Sequence, residues 1–128
     1  MESVEKEMGR GMSELTITEL VKQSHETALD KGWWDDDPEV DRSFGTTLAL
    51  IHSEVSEALE EYRDGRGYQE IYYRESDGKP EGIPVEFADV IIRICDNVGK
   101  YDMPLLRALE EKLAFNKTRP HRHGGKKA

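Results

Sequence analysis

The chain has 128 residues, of which 36% are hydrophobic and 35% charged, and its formal net charge at pH 7 is −9. This length predicts a single domain, and no apolar run is long enough to cross a membrane. Residues 1–116 carry 13 basic and 27 acidic side chains, whereas residues 117–128 carry five basic and no acidic ones. Because such an acidic body repels a phosphate backbone, composition argues against a nucleic-acid partner.

The first and last segments differ in composition from the middle of the chain. Residues 1–15 are polar and rich in Glu, Gly and Met, which predicts a flexible leader before a domain at 16–117 and a basic tail at 118–128. The acidic start does not match the basic and then apolar pattern of a signal peptide. Cys95 is the only cysteine, so no internal disulfide can form. These features predict a reduced, cytoplasmic protein.

Two helices are predicted in the first half of the chain. Apolar residues recur at helical spacing over 16–31, and Gly32 is a suitable stop. A loop over 33–38 follows, and a second helix is predicted over about 43–64. Residues 65–82 then contain five Gly or Pro residues and a short β-like stretch, which predicts a long loop or a small hairpin.

Two further helices complete the predicted architecture. The third begins near Pro84, a residue suited to the first helical turn, and is expected to end at about Val98, before Gly99. Asp102 is the predicted N-cap of the fourth helix, which continues to about Asn116. The fold class is therefore all-α, a bundle of three or four helices.

Two pairs of acidic residues on helical spacing are the most informative pattern in the chain. Glu54 and Glu57 are three residues apart, as are Glu86 and Asp89. On a helix, each pair projects from one face about one turn apart. Like charges placed this way repel, so a cation is needed to make the arrangement favourable. A hard divalent cation with oxygen ligands is the natural candidate, and such cations commonly carry substrate phosphates.

The alternative interpretation of a charged helical strip is an ordinary solvated face. We keep that interpretation for Glu60, Glu110 and Glu111. The third helix is different, because apolar residues occupy most of its circumference and predict that it is largely buried. An acidic strip on a buried helix requires a compensating cation. The polar strip of this helix consists of Glu86, Asp89, Arg93, Asp96 and Asn97.

These pairs and their flanking motifs resemble the MazG-like, all-α nucleoside triphosphate pyrophosphohydrolases. The family signature is a Glu-x-x-Glu on one helix and a Glu-x-x-Asp on the next. Here Glu54-Val55-Ser56-Glu57 and Glu86-Phe87-Ala88-Asp89 match it, with 28 residues between them. Lys31-Gly32-Trp33 and the basic run over 112–120 also resemble the family, so the resemblance covers roughly residues 16–125.

The resemblance implies a metal-dependent enzyme. Mg²⁺, with Mn²⁺ as a substitute, would be bound by Glu54, Glu57, Glu86 and Asp89, with Glu54 and Glu57 also counted as catalytic. The implied reaction converts a (d)NTP to its monophosphate and pyrophosphate, a nucleotide-pool house-cleaning activity. Glu61, one turn beyond Glu57, would help to orient the attacking water.

The resemblance also implies residues that bind the nucleotide. Lys112, Asn116, Lys117 and Arg119 match the family's C-terminal motif, in which side chains reach phosphates or base. The alternative for Lys117 is an ordinary basic residue that interacts with the helix dipole.

Three other residues have two interpretations each. Arg93 either contacts phosphate or neutralises the acidic strip. Trp33 and Trp34 either stack on a base or anchor the core.

The third helix also bears on assembly. Three neighbouring helices of one small chain can hardly cover an apolar surface this wide, which predicts a homodimer or homotetramer that completes the bundle. The resemblance points the same way.

Other functions compete with this one. A phosphoribosyl-ATP pyrophosphohydrolase-like enzyme and a non-catalytic helical interaction module that retains the fold are both alternatives. A ferritin-like di-iron bundle would need Glu-x-x-His pairs, and the sequence has none. The preferred base and sugar cannot be read from these residues.

Overall fold

The computed structural model describes residues 14–121, so most of the predicted leader and tail, residues 1–13 and 122–128, lies outside the described residues. Within 14–121 the chain is mostly helical, which confirms the all-α class. The elements, in chain order, are α1 (Ile17–Asp30), α2 (Phe44–Arg63), β1 (Tyr72–Tyr73), β2 (Pro80–Glu81), α3 (Ile83–Tyr101) and α4 (Leu105–Thr118). None of these helices is long and apolar enough to cross a membrane.

Polar side chains cap the first two helices. Thr16 accepts a hydrogen bond from the backbone N–H of Glu19 at the start of α1. At the start of α2, the Ser43 hydroxyl accepts from the N–H of Thr46, and the Thr46 hydroxyl donates to Asp41 over 2.6 Å. These bonds satisfy N–H groups that a helix cannot satisfy internally. The hydrogen bond from Thr46, followed by one from the backbone N–H of Ser43, lowers the pKa of Asp41.

Helix α3 is central, and α1 and α2 both pack against it. The predicted stop at Gly99 is wrong, because α3 continues to Tyr101. Gly99 lies where α1 crosses, and a Cβ there would approach the Cβ of His25 to 2.7 Å. The glycine therefore permits close contact between two helices instead of ending one.

The predicted N-cap role of Asp102 is also wrong. Asp102 adopts a left-handed conformation, with φ 50° and ψ 49°, at the C-terminal end of α3. Pro104 occupies the N-cap position of α4, where no side chain provides a capping hydrogen bond. A short acidic residue between two helices suits either role, since Asp tolerates left-handed backbone and also caps helix starts.

The expectation that α3 is largely buried is wrong for the chain by itself. Phe87, Ile91 and Ile94 share one face at helical spacing, and their exposed fractions are 58%, 49% and 37%. The polar residues Asp96 and Asn97 are buried instead. Thus α3 turns its polar strip towards α1 and α2 and leaves much of its apolar surface exposed.

A small hairpin joins α2 to α3, which is one of the two structures predicted for residues 65–82. In β1 and β2, Tyr72 lies opposite Glu81 in antiparallel register. Outside the sheet, the Tyr72 hydroxyl lies 2.8 Å from both carboxylate oxygens of Glu61 and donates to them, which ties the hairpin to the end of α2. Gly82, with φ 126°, starts α3 against the carbonyl oxygen of Glu70, where any Cβ would collide.

Candidate metal centre

Three carboxylates from two helices meet in a cleft bounded by α1, α2 and α3. Glu54 comes from α2, and Glu86 and Asp89 come from successive turns of α3. One carboxylate oxygen from each residue lies within 4.8 Å of the others, and all three side chains are partly buried. The packing of α2 against α3 therefore joins the two acidic motifs that are 28 residues apart in the chain.

The clustering changes the acidity of two members. Burial raises the pKa of Glu86, and the nearby charges of Asp89, Glu54, Glu57 and Glu61 raise it further. Burial and Glu54 also raise the pKa of Asp89, against the opposing effect of Lys79 and Arg93. Both shifts have the same cause: negative charge is concentrated where water is partly excluded. A cation placed among these oxygens would relieve that cost.

The fourth predicted ligand, Glu57, lines the same cleft but does not belong to the tight trio. Its charge still reaches Glu86, because it contributes to the raised pKa of that group. Glu61 lies one turn further along α2 and accepts the hydrogen bond from Tyr72. Arg66 lies 4.0 Å from Glu61, so this carboxylate has partners of its own in the hairpin.

Arg93 connects the acidic trio to the loop after α1. Its Nε donates to Oε1 of Glu54 over 2.7 Å, and its guanidinium lies 4.7 Å from the ring centroid of Trp33. Arg42 also stacks on Trp33, at 3.7 Å, and donates through Nε to the Trp33 carbonyl oxygen. Trp33 lines the cleft and contacts Arg93, so of the two predicted tryptophans this is the one linked to the trio of Glu54, Glu86 and Asp89.

Trp34 has a different role, because it contacts Asp96, a buried residue of the polar strip of α3. Its Nε1 donates to Oδ1 of Asp96 over 2.8 Å, and Nδ1 of His25 lies 2.9 Å from the same oxygen. Its ring makes an edge contact with Tyr101. These contacts favour the core-anchor interpretation of Trp34, and they make His25 a structural histidine with a partner.

The cleft is large and contains two lysines, Lys31 and Lys79, to which the sequence motifs assigned no binding role. Its volume is about 930 Å³, and its lining includes Lys31 from the end of α1 and Lys79 from the hairpin. The backbone of Lys79 is held by the turn, since its N–H donates to Asp77 and its carbonyl oxygen accepts from Arg74. In the sequence, the only indication that Lys79 belongs to the cleft is its position in a long loop before the second acidic motif. That indication is weak.

The C-terminal residues predicted to bind nucleotide do not reach this cleft within one chain. Lys112, Asn116 and Lys117 lie on α4, all exposed, and Arg119 follows the helix. No residue of α4 is buried. Lys112 and Arg119 both lie near the ring of Phe115, at 5.4 and 5.9 Å. Their predicted role remains a prediction.

Comparison with known proteins adds no relative: no family model, no curated protein and no solved structure matches the chain. The residues of the cleft and their chemistry are therefore the basis for assigning a function.

Proposed function

We propose that the protein is a Mg²⁺-dependent nucleoside triphosphate pyrophosphohydrolase of the MazG-like type, with the cleft as its active site. The observation that supports this most directly is the convergence of Glu54, Glu86 and Asp89, whose oxygens lie within 4.8 Å of one another. The resemblance assigned metal binding to these same residues.

The chemistry of the donor set fits a hard divalent cation. All the candidate ligands, Glu57 included, are carboxylates, and oxygen ligands are those that Mg²⁺ and Mn²⁺ prefer. Burial and then the neighbouring carboxylates raise the pKa values of Glu86 and Asp89, so a bound cation would favour their charged forms. When bound, the metal would neutralise phosphate charge and lower the pKa of an attacking water.

The cleft also suits a triphosphate in size and charge. A volume of about 930 Å³ lies within the usual range for small-molecule sites, roughly 300–1,000 Å³. Lys31 and Lys79 line it together with the carboxylates, and lysine binds phosphate as a point charge. Glu57, which lines the cleft outside the tight trio, would add a fourth carboxylate to the metal ligands. Trp33 offers an aromatic surface, although Arg42 and Arg93 already stack on it.

Assembly is part of the proposal. The exposed apolar residues on α3, and a similar row on α2 formed by Val55, Leu59 and Tyr62, are 37–58% exposed in the single chain. A homodimer or homotetramer would bury such rows. Lys112, Asn116, Lys117 and Arg119 would then serve a nucleotide in the cleft of a neighbouring subunit. A nucleotide-pool activity also agrees with a cytoplasmic, house-cleaning role.

The deciding experiment identifies the products. The protein is incubated with a panel of (d)NTPs and Mg²⁺, and the products are separated by ion-exchange chromatography. We expect a nucleoside monophosphate and pyrophosphate, with no turnover in EDTA. Release of orthophosphate and a diphosphate would refute the reaction, and absence of turnover with every nucleotide would favour a non-catalytic helical module. Phosphoribosyl-ATP in the same panel tests the related hydrolase.

A further inference from the structure

Arg93 makes two contacts that together restrict the position of Glu54. Its Nε donates to Oε1 of Glu54 over 2.7 Å, and its guanidinium lies 4.7 Å from the ring of Trp33. The two partners are partly buried, with side-chain exposures of 30% for Arg93 and 16% for Glu54. A planar guanidinium held by a ring and bonded through one N–H has little freedom to rotate.

The hydrogen bond uses only one oxygen of Glu54. Within residues 14–121, no hydrogen bond reaches the second oxygen. A carboxylate with one oxygen bonded to arginine can still offer its other oxygen to a metal. Outer hydrogen bonds of this kind orient ligands in metal sites and affect how tightly the metal binds.

The net charge of the cleft, with Arg93 included, suits one divalent cation. The titratable groups that line it are the carboxylates of Glu54, Glu57, Glu86, Asp89 and Asp96 and the cations Lys31, Lys79 and Arg93. Their formal sum is −2, the charge that one divalent cation balances. Loss of Arg93 would leave −3, so charge alone predicts tighter metal binding without it.

We propose that Arg93 is a positioning residue that holds one oxygen of Glu54 and thereby aims the other at the metal, with Trp33 as its support. This inference rests on the proposed metal site, but it concerns a different residue and a different measurement. It also assigns a structural purpose to the Trp33 ring, which connects the loop after α1 to the metal ligands.

The test measures metal affinity without nucleotide. Mn²⁺ is titrated into metal-free protein by calorimetry for the wild type, Arg93→Met and Arg93→Lys. Positioning predicts that Arg93→Met binds Mn²⁺ about 10- to 100-fold more weakly, the usual cost of losing an outer hydrogen bond to a ligand. A role limited to charge neutralisation predicts tighter binding by this variant.

Arg93→Lys keeps the charge but not the planar geometry, and it provides a test should Arg93→Met fail to fold. We expect its Mn²⁺ affinity to be weaker than that of the wild type, whereas neutralisation alone predicts equal affinity. Arg42→Met is the matched control, because Arg42 also stacks on Trp33, at 3.7 Å, but within residues 14–121 it makes no hydrogen bond or ion pair with Glu54. Its Mn²⁺ affinity should equal that of the wild type.

The outcomes separate this inference from the proposed function. Wild-type affinity or tighter binding in both Arg93 variants overturns the positioning role alone. Failure of the wild-type protein to bind Mn²⁺ overturns the metal site and this inference together. Circular dichroism of each variant verifies that the helices are retained.

Discussion

Gly99 of α3 lies against His25 of α1 so closely that an added Cβ would come within 2.7 Å of the histidine Cβ and 2.9 Å of its Cγ. This contact lies beside the Asp96 network, in which the same histidine takes part. The spacing between α1 and α3, and hence the width of the cleft, therefore depends on a residue with no side chain.

We expect Gly99→Ala to lower the free energy of unfolding by about 1–3 kcal/mol, the usual cost of forcing extra volume into a packed contact. Urea denaturation monitored by circular dichroism measures this. Gly45→Ala is the matched control, because Gly45 is also helical but has no atom within 4 Å of an added Cβ. It should stabilise the protein by about 0.5–1 kcal/mol. Equal effects of the two substitutions would contradict the close packing.

The Asp96 network gives a second stability prediction. Asp96→Ala removes the acceptor for both Trp34 and His25, and it should destabilise the protein by about 1–3 kcal/mol, because partly buried donors lose their partner. The fluorescence of Trp34 should change as well. Asp36→Ala serves as the control, since Asp36 is exposed and its side chain makes no hydrogen bond among residues 14–121. A loss below about 0.5 kcal/mol for Asp96→Ala would show that the network contributes little.

The metal ligands give a prediction about activity. Glu54→Gln, Glu57→Gln, Glu86→Gln and Asp89→Asn should each lower pyrophosphate release by more than about tenfold, because loss of even an outer partner of a ligand typically costs that much. Glu60→Gln is the control: Glu60 is exposed and pairs with Arg63, so its activity should be unchanged. Near-normal turnover in two of the four ligand variants would contradict the assignment.

The same substitutions that lower activity should make the metal-free protein more stable where they remove repulsion between carboxylates. Glu86→Gln and Asp89→Asn relieve repulsion, and each should raise the melting temperature by about 2 °C, given like-charge penalties of a few tenths of a kcal/mol. Glu54→Gln should show no such gain, because it also breaks the ion pair with Arg93. Calorimetry in EDTA measures all three. Lower melting points for both Glu86→Gln and Asp89→Asn would argue against a repulsive cluster.

The same repulsion has a definite dependence on pH. Folding raises the pKa of Glu86 and Asp89 above their ordinary values of 4.5 and 3.8, so the folded state binds more protons than the unfolded state just above those values. Stability from these groups therefore falls as pH rises from about 4 through the raised values. The advantage of Glu86→Gln over the wild type in EDTA should grow over that interval and level off above it.

The test compares the stability of Glu86→Gln with that of the wild type at each pH, because other carboxylates make the protein more stable as pH rises. Arg74 holds the pKa of Asp77 well below its usual range. The pKa of Glu70 is lowered by a hydrogen bond from the backbone N–H of Gly67 and by another from the side chain of Arg66. These carboxylates contribute stability that is lost as pH falls. A difference that shrinks as pH rises would contradict the assignment of raised values to the cluster.

The exposed apolar rows predict association. Light scattering at micromolar concentration should give a mass that is a multiple of 14.7 kDa. Ile91→Glu places a charge in the exposed row of α3 and should shift the protein towards the monomer, whereas Val40→Glu, in a loop where the side chain is also exposed, should not. A mass of 14.7 kDa for the unsubstituted protein would show that α3 needs no partner.

Much of the secondary structure follows from local sequence. The caps at Thr16 and Ser43, the hairpin, and the apolar spacing of α1 to α3 are set by residues within a turn or two of each other, so they can be read from the chain. The acidic pairs belong to this group, because residues three apart share a helix face wherever the helix lies. The predicted helix stop at Gly99 and the predicted N-cap at Asp102 were wrong because each local pattern is compatible with two structures.

Only the tertiary structure decided which of these residues meet. The sequence cannot show that Glu54 joins Glu86 and Asp89 more closely than Glu57 does, because this depends on how α2 packs against α3. Nor can it show that Arg93 bonds to Glu54, that Trp33 and Trp34 face different partners, or that Lys79 reaches the cleft. The burial of the polar strip on α3 reverses the expectation from its apolar circumference, because a helix face is buried by the neighbours that pack on it and not by its own composition.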